Sequence, residues 1–311
     1  MEQNPATVYD IAIIGAGPAG MTAAIYSARA NMNVLLLDKL APGGQIVNTF
    51  VIQNYPGMGS INGAELAIKM YEHTMELGVT FDYGTVTVIQ EKNQLKEIFC
   101  EEGNRYTAKA VIIAVGTEHR MLDVPHEADF AGTQISWCAI CDGAHYQGKE
   151  VLVVGGGNSA VEEAIYLAEM AKRVKLITLF SLTADSIACD KLRSMENVEI
   201  YEFYDILEFL PGNRFTGLRA KSTRTEEEIV LQADGCFEYI GLKPSAGAFH
   251  DLGIVDAHGY IEADNDMKTA MPGIFAAGDV TSKMLRQVVT ACGDGAVASQ
   301  SAVKYVRSLT E

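Results

Sequence analysis

The sequence near the N-terminus reads Asp10-Ile11-Ala12-Ile13-Ile14-Gly15-Ala16-Gly17-Pro18-Ala19-Gly20. The short apolar run over 10–14 predicts a buried parallel strand, and a GxGxxG turn follows it directly. Residues 21–30 are rich in helix formers, and residues 34–37 predict a second strand that ends in Asp38. A lone GxGxxG is a weak signal, but strand, turn, helix and terminal acid in this order are typical of dinucleotide binding.

The residue types in this turn explain the prediction. Glycine at positions 15, 17 and 20 permits a tight turn and lets a pyrophosphate approach the helix N-terminus, whose free N–H groups attract anions. Asp38 stands 23 residues after Gly15, where a carboxylate can accept hydrogen bonds from the ribose hydroxyls of an adenosine. The first turn is therefore predicted to bind a dinucleotide.

The same design occurs a second time, with first glycines 140 residues apart. A strand over 150–154, the GxGxxA turn Gly155-to-Ala160, a helix over 161–168 and a strand over 174–178 make up this unit. The other predicted elements are an amphipathic helix over 63–77, antiparallel strands over 79–113, short strands over 198–240, a buried strand over 273–280 and a small-residue helix from Arg286 towards Leu309. Turn chemistry predicts domain boundaries at 115–117 and 241–244.

A pair of cysteines stands just before the second turn, in Trp137-Cys138-Ala139-Ile140-Cys141-Asp142-Gly143. Two cysteines at this spacing close to a disulfide or open to a dithiol, so the site has two redox states. Asp142 is placed to carry the proton that thiol exchange needs. Half of a zinc site is the alternative, but only His145 lies close downstream and the other cysteines are isolated. Redox chemistry is therefore favoured, and no metal is expected.

Composition argues against several classes of function. The chain has 311 residues and a net charge of −16, which suggests about two domains and argues against nucleic acid as a partner. Its apolar runs are strand-sized, well below the roughly 20 residues of a membrane helix, so no membrane partner is expected. Six cysteines without a recognisable signal peptide indicate a cytoplasmic protein. His119, His126 and His145 are interpreted as solvated loop residues.

The two turns differ at the last residue of the strand that follows each helix. Thr178 occupies the position that Asp38 has in the first unit, and no cation follows before Lys191. A free 2′-hydroxyl calls for an acid at this position, and a 2′-phosphate calls for a nearby arginine. Two interpretations stay open: a weak or unusual nicotinamide site, or a domain that no longer uses a nicotinamide cofactor.

In these motifs the chain resembles the low-molecular-weight thioredoxin reductases over nearly its whole length. The matching pieces are Gly15-to-Gly20, Gly43-Gly44-Gln45, Asn54, Cys138-to-Gly143, Gly155-to-Ala160, Gly278-Asp279 and Arg286-Gln287-Val288. The most specific of them is the CxxC with its following Asp-Gly, just before a second nucleotide turn. The resemblance implies a homodimer with an α/β fold of two Rossmann-like three-layer ββα dinucleotide-binding domains, the second inserted into the first.

The resemblance also implies what each domain binds. Residues 1–117 and 246–311 would form the FAD-binding domain, and residues 118–245 would form an inserted NAD(P)-binding-like domain that carries the redox pair. In this scheme Cys141 faces the flavin, Cys138 attacks the disulfide of thioredoxin and Asp142 supplies the proton. The implied FAD-binding residues are Gly15, Gly17, Pro18, Ala19, Gly20, Asp38, Gly44, Gln45, Asn54, Ala114, Gly116, Gly278, Asp279, Arg286, Gln287 and Val288.

The expected electron donor depends on residues 178–184. Where NADPH-using members carry His-Arg-Arg and a further Arg, this chain has Thr178, Leu179, Phe180 and Ala184. The chain is in this respect similar to a ferredoxin-dependent branch of the family. Reduced ferredoxin is therefore the expected donor, and NADPH or NADH is doubtful. The alternatives are a conventional NAD(P)H-dependent thioredoxin reductase and, in another class, a flavoprotein redox sensor.

Two observations weigh against ferredoxin. The glycine turn of the second unit survives, and ferredoxins are acidic, so a chain of net charge −16 needs a local basic docking patch. The available cations are Lys191 with Arg193, or Arg214, Arg219, Lys221 and Arg224, and each is equally well explained as ordinary solvated charge. Trp137, the only tryptophan, could shield the flavin, contact a partner or serve packing alone.

Overall fold

The computed structural model describes residues 7–48, 52, 54–137 and 139–309. The predicted redox residue Cys138 lies outside the described residues, and so does the side chain of Cys141. The strands are β1 (Val8–Ile14), β2 (Val34–Asp38), β3 (Thr80–Tyr83), β4 (Val86–Lys92), β5 (Leu95–Cys100), β6 (Arg105–Ile113), β7 (Thr117–His119), β8 (Ile135–Ser136), β9 (Glu150–Val154), β10 (Arg173–Thr178), β11 (Val198–Glu202), β12 (Tyr204–Phe209), β13 (Gly217–Ser222), β14 (Glu228–Gln232), β15 (Gly235–Glu238), β16 (Leu242–Pro244) and β17 (Ile274–Ala276). The α-helices are α1 (Pro18–Arg29), α2 (Gly63–Glu76), α3 (Glu127–Phe130), α4 (Ala139–Asp142), α5 (Asn158–Ala168), α6 (Ser186–Arg193) and α7 (Val288–Ser308). Short 3-10 helices lie at Gly44–Asn48, Gly143–Tyr146, Gly247–Leu252 and Gly278–Val280.

The chain forms two compact units. One comprises Met1–Glu118 with Lys243–Glu311, and the other comprises His119–Leu242. The second unit is therefore inserted into the sequence of the first. Within the described ranges, no helix is both long enough and apolar enough to cross a membrane.

The first unit is built on a seven-stranded sheet with the order β3-β2-β1-β6-β5-β4, in which β17 also pairs with β6. β1 is parallel to β2 and β6, and β17 is parallel to the C-terminal part of β6. Within the region predicted to be antiparallel, β4, β5 and β6 are antiparallel, but β3 is parallel to β2. The reason is the connection, because β3 returns to the sheet through helix α2 and such crossovers give parallel pairs.

Helix α7 packs closely on the helix that follows the first glycine turn. At Gly295 a Cβ would lie only 2.2 Å from the carbonyl oxygen of Ala19. Further along, the hydroxyl oxygens of Ser27 and Ser299 are 2.8 Å apart and buried. Small residues therefore allow the two helices to approach, which fixes the C-terminal segment against the turn and α1.

The second unit has a five-stranded sheet with the order β11-β10-β9-β15-β8, and its strand pairs are parallel. Val151 and Val153 of β9 pack with α5, whereas Leu152 and Val154 pack with the antiparallel sheet β12-β13-β14. This alternation, with a period of two, separates a helical layer from an antiparallel layer across the parallel sheet. The predicted α/β fold with Rossmann-like sheets is confirmed.

Candidate cofactor and redox sites

The first glycine turn requires glycine for steric reasons. Gly15 has φ +106°, and a Cβ there would lie 2.3 Å from the carbonyl oxygen of Ala114. At Gly20 a Cβ would lie 1.7 Å from the carbonyl oxygen of Gly15. Helix α1 begins at Pro18 after Gly17, and no described side chain caps its first N–H groups. The free N–H groups and the helix dipole are thus available to an anionic group such as a pyrophosphate.

The carboxylate of Asp38 lies beside this turn. Its Oδ2 accepts a hydrogen bond from Ala16 N at 2.6 Å, and its Oδ1 accepts one from Leu40 N at 2.9 Å. Each carboxylate oxygen has a second lone pair, so both can still accept from a ribose hydroxyl. Gly44 also approaches the turn, because a Cβ there would lie 3.2 Å from the Cα of Gly17.

The remaining predicted FAD residues are brought together in the same unit by backbone and amide hydrogen bonds. Gln45 Nε2 donates to the carbonyl oxygen of Thr117 at 2.9 Å. Asn54 Nδ2 donates to Gln287 Oε1 at 2.8 Å, and Gln287 is the N-cap of α7, which begins at Val288. Ala114 N donates to the carbonyl oxygen of Ile14 at 2.7 Å, and the carbonyl oxygen of Gly116 accepts from Ser245 N at 3.1 Å.

Asp279 is the residue whose surroundings fit a cofactor most directly. Its side chain is partly buried, and the buried Oδ1 has no hydrogen-bond partner among the described residues. Burial raises the pKa of Asp279, while nearby Lys283 and Arg286 act in the opposite direction. A buried carboxylate oxygen without a partner is costly, so this atom fits a hydroxyl of the bound cofactor. The residues of the first unit therefore fit FAD.

Two residues near Asp279, Lys283 and Asp294, were not predicted from the sequence. Lys283 forms an ion pair with Asp294, which also accepts a hydrogen bond from Gly278 N at 3.0 Å. Arg286 Nε donates to the carbonyl oxygen of Asp279 at 3.3 Å. Asp294 lies in the helix of small residues, and an acid in so tightly packed a helix is the sequence feature that could have indicated this contact.

The residues before and after Cys138 make defined hydrogen bonds. Ser136 Oγ donates to Asp142 Oδ2 at 2.5 Å, and Ala139 N donates to the hydroxyl oxygen of Tyr239 at 2.8 Å. The backbone of Cys141 lies in α4, next to Asp142. The carboxylate predicted to supply a proton is thus held in place one residue after Cys141. Across the part of the chain that the structure describes, no cluster of three or more His, Cys, Asp or Glu could hold a metal ion.

One of the three histidines differs from its prediction. His119 was expected to be a solvated loop residue, but its ring stacks on Trp137 with centroids 5.7 Å apart and an interplanar angle of 15°. Burial lowers the pKa of His119. His145 is exposed, and His126 Nδ1 lies 3.0 Å from Asp129 Oδ2. The contact between His119 and Trp137 joins distant parts of the sequence, so no local pattern could reveal it.

The second glycine turn keeps its backbone but is covered differently. Gly155 has φ +128°, and a Cβ there would lie 2.3 Å from the carbonyl oxygen of Tyr239. Thr178 packs on the turn, because a Cβ at Gly156 would lie 2.7 Å from Thr178 Oγ1. The following loop folds back, with Thr183 N donating to the carbonyl oxygen of Gly156 at 2.7 Å. Thr178 therefore takes the position that Asp38 has in the first unit, and the loop after β10 is hydrogen-bonded to the turn.

Several cations proposed as a ferredoxin-docking patch have neighbours within their own unit. The contacts are Arg193 with Glu202 (3.7 Å), Arg219 with Glu208 (3.0 Å) and Glu228 (2.8 Å), Lys221 with Glu226, and Arg224 over the ring of Phe203 (3.3 Å). Paired charges attract an acidic partner less than free ones do. The geometry therefore gives this patch little support.

Comparison with known proteins gives a consistent result. Residues 9–295 match the family model described as pyridine nucleotide-disulphide oxidoreductase. The chain is 44% identical to a thioredoxin reductase of Listeria monocytogenes, covering 98% of this chain and 96% of the relative. The crystal structure of Lactococcus lactis thioredoxin reductase is similar at 42% identity and a TM-score of 0.87, covering 96% and 99% of the two chains. A ferredoxin-flavin thioredoxin reductase from Clostridium acetobutylicum is similar at 31% identity and a TM-score of 0.52, covering 97% and 99%.

Proposed function

The chain belongs to the pyridine nucleotide-disulphide oxidoreductases as an FAD-dependent thioredoxin reductase, and we propose that it reduces the disulfide of a thioredoxin through Cys138 and Cys141. One observation carries this proposal. A CxxC pair is followed directly by Asp142, whose carboxylate is held by Ser136 at 2.5 Å. A dithiol with an acid fixed beside it supplies both the electrons and the proton that disulfide reduction consumes.

The first unit binds the cofactor. Gly15, Gly17, Pro18, Ala19 and Gly20 line the pyrophosphate site, Asp38 accepts from the ribose, and the free Oδ1 of Asp279 accepts from a cofactor hydroxyl. Gly44, Gln45, Asn54, Ala114, Gly116, Gly278, Arg286, Gln287 and Val288 complete the proposed site. When bound, FAD supplies a two-electron carrier between the donor and the disulfide.

The redox pair then works by thiol exchange. The thiolate of Cys138 attacks one sulfur of the thioredoxin disulfide, and the departing sulfur takes a proton supplied by Asp142. Cys141 then attacks the sulfur of Cys138 in the mixed disulfide, and the proton that its thiol loses passes to the second thioredoxin sulfur as that sulfur departs. Two electrons leave the dithiol, which becomes a disulfide again, and thioredoxin gains two thiols. Ser136 keeps Asp142 oriented for this transfer.

A test of this function does not require the natural donor. Enzyme reduced photochemically under anaerobic conditions is mixed with oxidised thioredoxin, and the thiols formed on thioredoxin are counted. We expect about four thiols per fully reduced enzyme, two from the electrons of the flavin and two from those of the dithiol. Cys138→Ser should give none, because it lacks the attacking thiolate, and Cys141→Ser should give at most about one, because its mixed disulfide is not resolved. Full thioredoxin reduction by Cys141→Ser would contradict the proposal.

A nicotinamide nucleotide is the donor favoured by the relatives and by the second glycine turn. The family description names pyridine nucleotides, and Gly155 keeps the backbone of a phosphate-binding turn. At Gly157 a Cβ would meet no described atom within 4 Å, so the turn is open there. Thr178 and its neighbours offer no 2′-phosphate contact, so discrimination between NADPH and NADH is expected to be weak.

Reduced ferredoxin is the second candidate donor. The specific observation in its favour is that Leu179 and Phe180, both exposed, stand where cations would grip a 2′-phosphate. Steady-state thioredoxin reduction with each donor in turn separates the candidates. Turnover with ferredoxin alone would select the second candidate, and turnover with either nucleotide would select the first.

We also propose that the protein is a homodimer, as the family resemblance implies. We further propose that it is cytoplasmic, as its cysteine usage indicates. Sedimentation equilibrium checks the dimer, since a monomer at micromolar concentration would contradict it. Fractionation of the source cells checks the compartment.

A further inference from the structure

The second unit contains a pair of buried carboxyl groups beside Trp137, the first residue of the redox loop (residues 137–143). Glu238 ends strand β15 and is only 1% exposed, and Glu127 at the start of α3 is 2% exposed. No salt bridge of the described residues involves either side chain. Two adjacent carboxylates without a cation are strongly unfavourable in an interior, so one of them is expected to hold a proton.

Glu127 is the member that accepts hydrogen bonds from backbone N–H groups. Its Oε1 accepts from Leu122 N at 2.7 Å, and its Oε2 accepts from Asp123 N at 2.7 Å and Val124 N at 3.4 Å. Three backbone donors stabilise a negative charge and leave no oxygen that gains from a proton. Glu127 therefore closes the turn over 122–124 as a carboxylate.

Glu238 is the member that holds the proton. Its Oε2 accepts from the indole Nε1 of Trp137 at 3.2 Å, and its Oε1 has no partner among the described residues. Burial raises the pKa of Glu238 to about 8, and the neighbouring Glu127 adds to the rise. A proton on Oε1 satisfies this atom by letting it donate to the Glu127 carboxylate.

Among the residues that the structure describes, no other group near Glu238 compensates a second charge. Glu238 pairs with Val154 of β9, and its neighbour Phe237 pairs with Val153 and Ser136. The Cys236 thiol is fully buried, and burial together with Glu238 and Glu127 raises its pKa. His119 stacks on the Trp137 ring, and burial lowers the pKa of His119. Each of these groups is thus neutral when Glu238 begins to titrate.

Trp137 connects this pair to the chemistry, because it directly precedes Cys138 in the chain. We propose that Glu238, with Glu127, acts as a positioning residue that holds the Trp137 indole, and with it the start of the redox loop, through one shared proton. Loss of this proton places two negative charges side by side. The repulsion of a full charge outweighs the gain in the single indole hydrogen bond, so Glu238 withdraws and Trp137 is released. This role rests on the proposed thiol exchange at Cys138.

Tryptophan emission tests the geometry independently of turnover. Trp137 is the only tryptophan, so the emission reports this indole alone. In the oxidised enzyme we expect the emission to change with a midpoint near pH 8, as Glu238 loses its proton. Glu238→Gln should remove this transition, because an amide accepts from the indole and donates to Glu127 at every pH. Glu127→Gln should move the midpoint to lower pH, because it removes the neighbouring charge.

Two controls separate this transition from others. Glu226→Gln alters an exposed carboxylate that pairs with Lys221, and it should leave the midpoint unchanged. His119→Asn removes the stacked ring, whose own titration is expected below about pH 6.5. A transition that persists unchanged in Glu238→Gln, or disappears in His119→Asn alone, would overturn the proposal.

Thiol exchange gives the second measurement. Pre-reduced wild type and Glu238→Gln are mixed with oxidised thioredoxin at pH 6.5 and at pH 9, and the ratio of their rates is compared. The ratio cancels the general effect of pH on thiolates. We expect equal rates at the lower pH and at least a threefold advantage of the variant at the higher pH. A ratio that stays constant would overturn the positioning role, whereas a normal emission titration in an enzyme that reduces no thioredoxin would refute the proposed function alone.

Discussion

The two glycine turns share a backbone but not a set of side chains. Gly15 and Gly155 both have positive φ, and at each a Cβ would lie 2.3 Å from a carbonyl oxygen. At the end of the paired strand the first turn has Asp38, which binds its backbone, and the second has Thr178, which packs on Gly156. The difference teaches that the turn provides a place for a phosphate, whereas the strand-end residue determines which nucleotide is held there.

A second difference lies in the helix that follows each glycine turn. Ala23 of α1 and Glu163 of α5 stand at matching positions, eight residues after the first glycine of each turn. Ala23 is fully buried, whereas Glu163 is a partly buried acid whose buried Oε2 has no partner among the described residues. Burial, with a smaller contribution from Glu162, raises the pKa of Glu163 to about 7. At this position the first helix has a packing residue and the second has an ionisable one.

The largest expected effect comes from Gly15→Ala. The variant places a methyl group 2.3 Å from the Ala114 carbonyl oxygen on a backbone with φ +106°. Such strain costs about 1–3 kcal/mol, so we expect bound FAD per protein to fall at least about tenfold. Gly155→Ala carries a matched clash with Tyr239 and should keep its FAD. Flavin absorbance of the purified proteins checks this, and equal loss in both variants would contradict the assignment of the turns.

The next largest effect is expected when Asp38 is replaced by threonine, the residue at the matching position of the second unit. Asp38→Thr removes the acceptor of Ala16 N and Leu40 N and the contact proposed for the ribose. The loss of charged hydrogen bonds is worth about 1.5–3 kcal/mol, so FAD should bind roughly tenfold or more weakly in a fluorescence titration. Asp38→Asn keeps one acceptor oxygen, so its affinity for FAD should lie between those of the wild type and Asp38→Thr. An unchanged FAD affinity in Asp38→Thr would show that the strand-end residue does not select the nucleotide.

The second turn can be given the cations that it lacks. Leu179 and Phe180 are exposed, so arginine at both positions is tolerated by the fold. Leu179→Arg with Phe180→Arg should lower the KM for NADPH about tenfold relative to NADH, because a guanidinium binds a 2′-phosphate bidentately. Glutamine at both positions is the control and should leave the ratio unchanged. If the double arginine variant changes the KM for neither nucleotide, a protein electron donor is favoured.

The smallest effect concerns the stability of the second unit. Because the pKa of Glu163 is raised in the folded protein, the folded state binds its proton more tightly than the unfolded state. Stability from this group is therefore complete below the ordinary glutamate pKa and is lost as pH rises towards about 7. Over this window Glu163→Gln should become more stable than the wild type in urea unfolding, by at most about 1 kcal/mol in total, because water screens a partly exposed charge. Parallel pH profiles for the two proteins would contradict this account.

The sequence was sufficient where the signal is local. The apolar runs, the two glycine turns and the helices after them are short patterns, and α1, α5 and α7 lie close to where they were predicted. The parallel pairing of β3 was missed because it depends on the crossover through α2 rather than on alternation. Glu238 was hidden in a region interpreted only as short strands, since its partners Glu127 and Trp137 come from distant segments. The roles of Cys138 and Cys141 stay predictions, because their side chains lie outside the described residues.

The difference between the two turns is tested most directly by anaerobic reduction of the flavin, followed as bleaching of its absorbance in a stopped-flow instrument. NADPH, NADH and reduced ferredoxin are offered separately to the oxidised enzyme. We predict rapid bleaching by both nucleotides with little preference between them, because the second turn binds a phosphate but has no group at Thr178 that reads the 2′-position. Bleaching by ferredoxin alone would contradict this account and show that the second turn no longer serves a nucleotide.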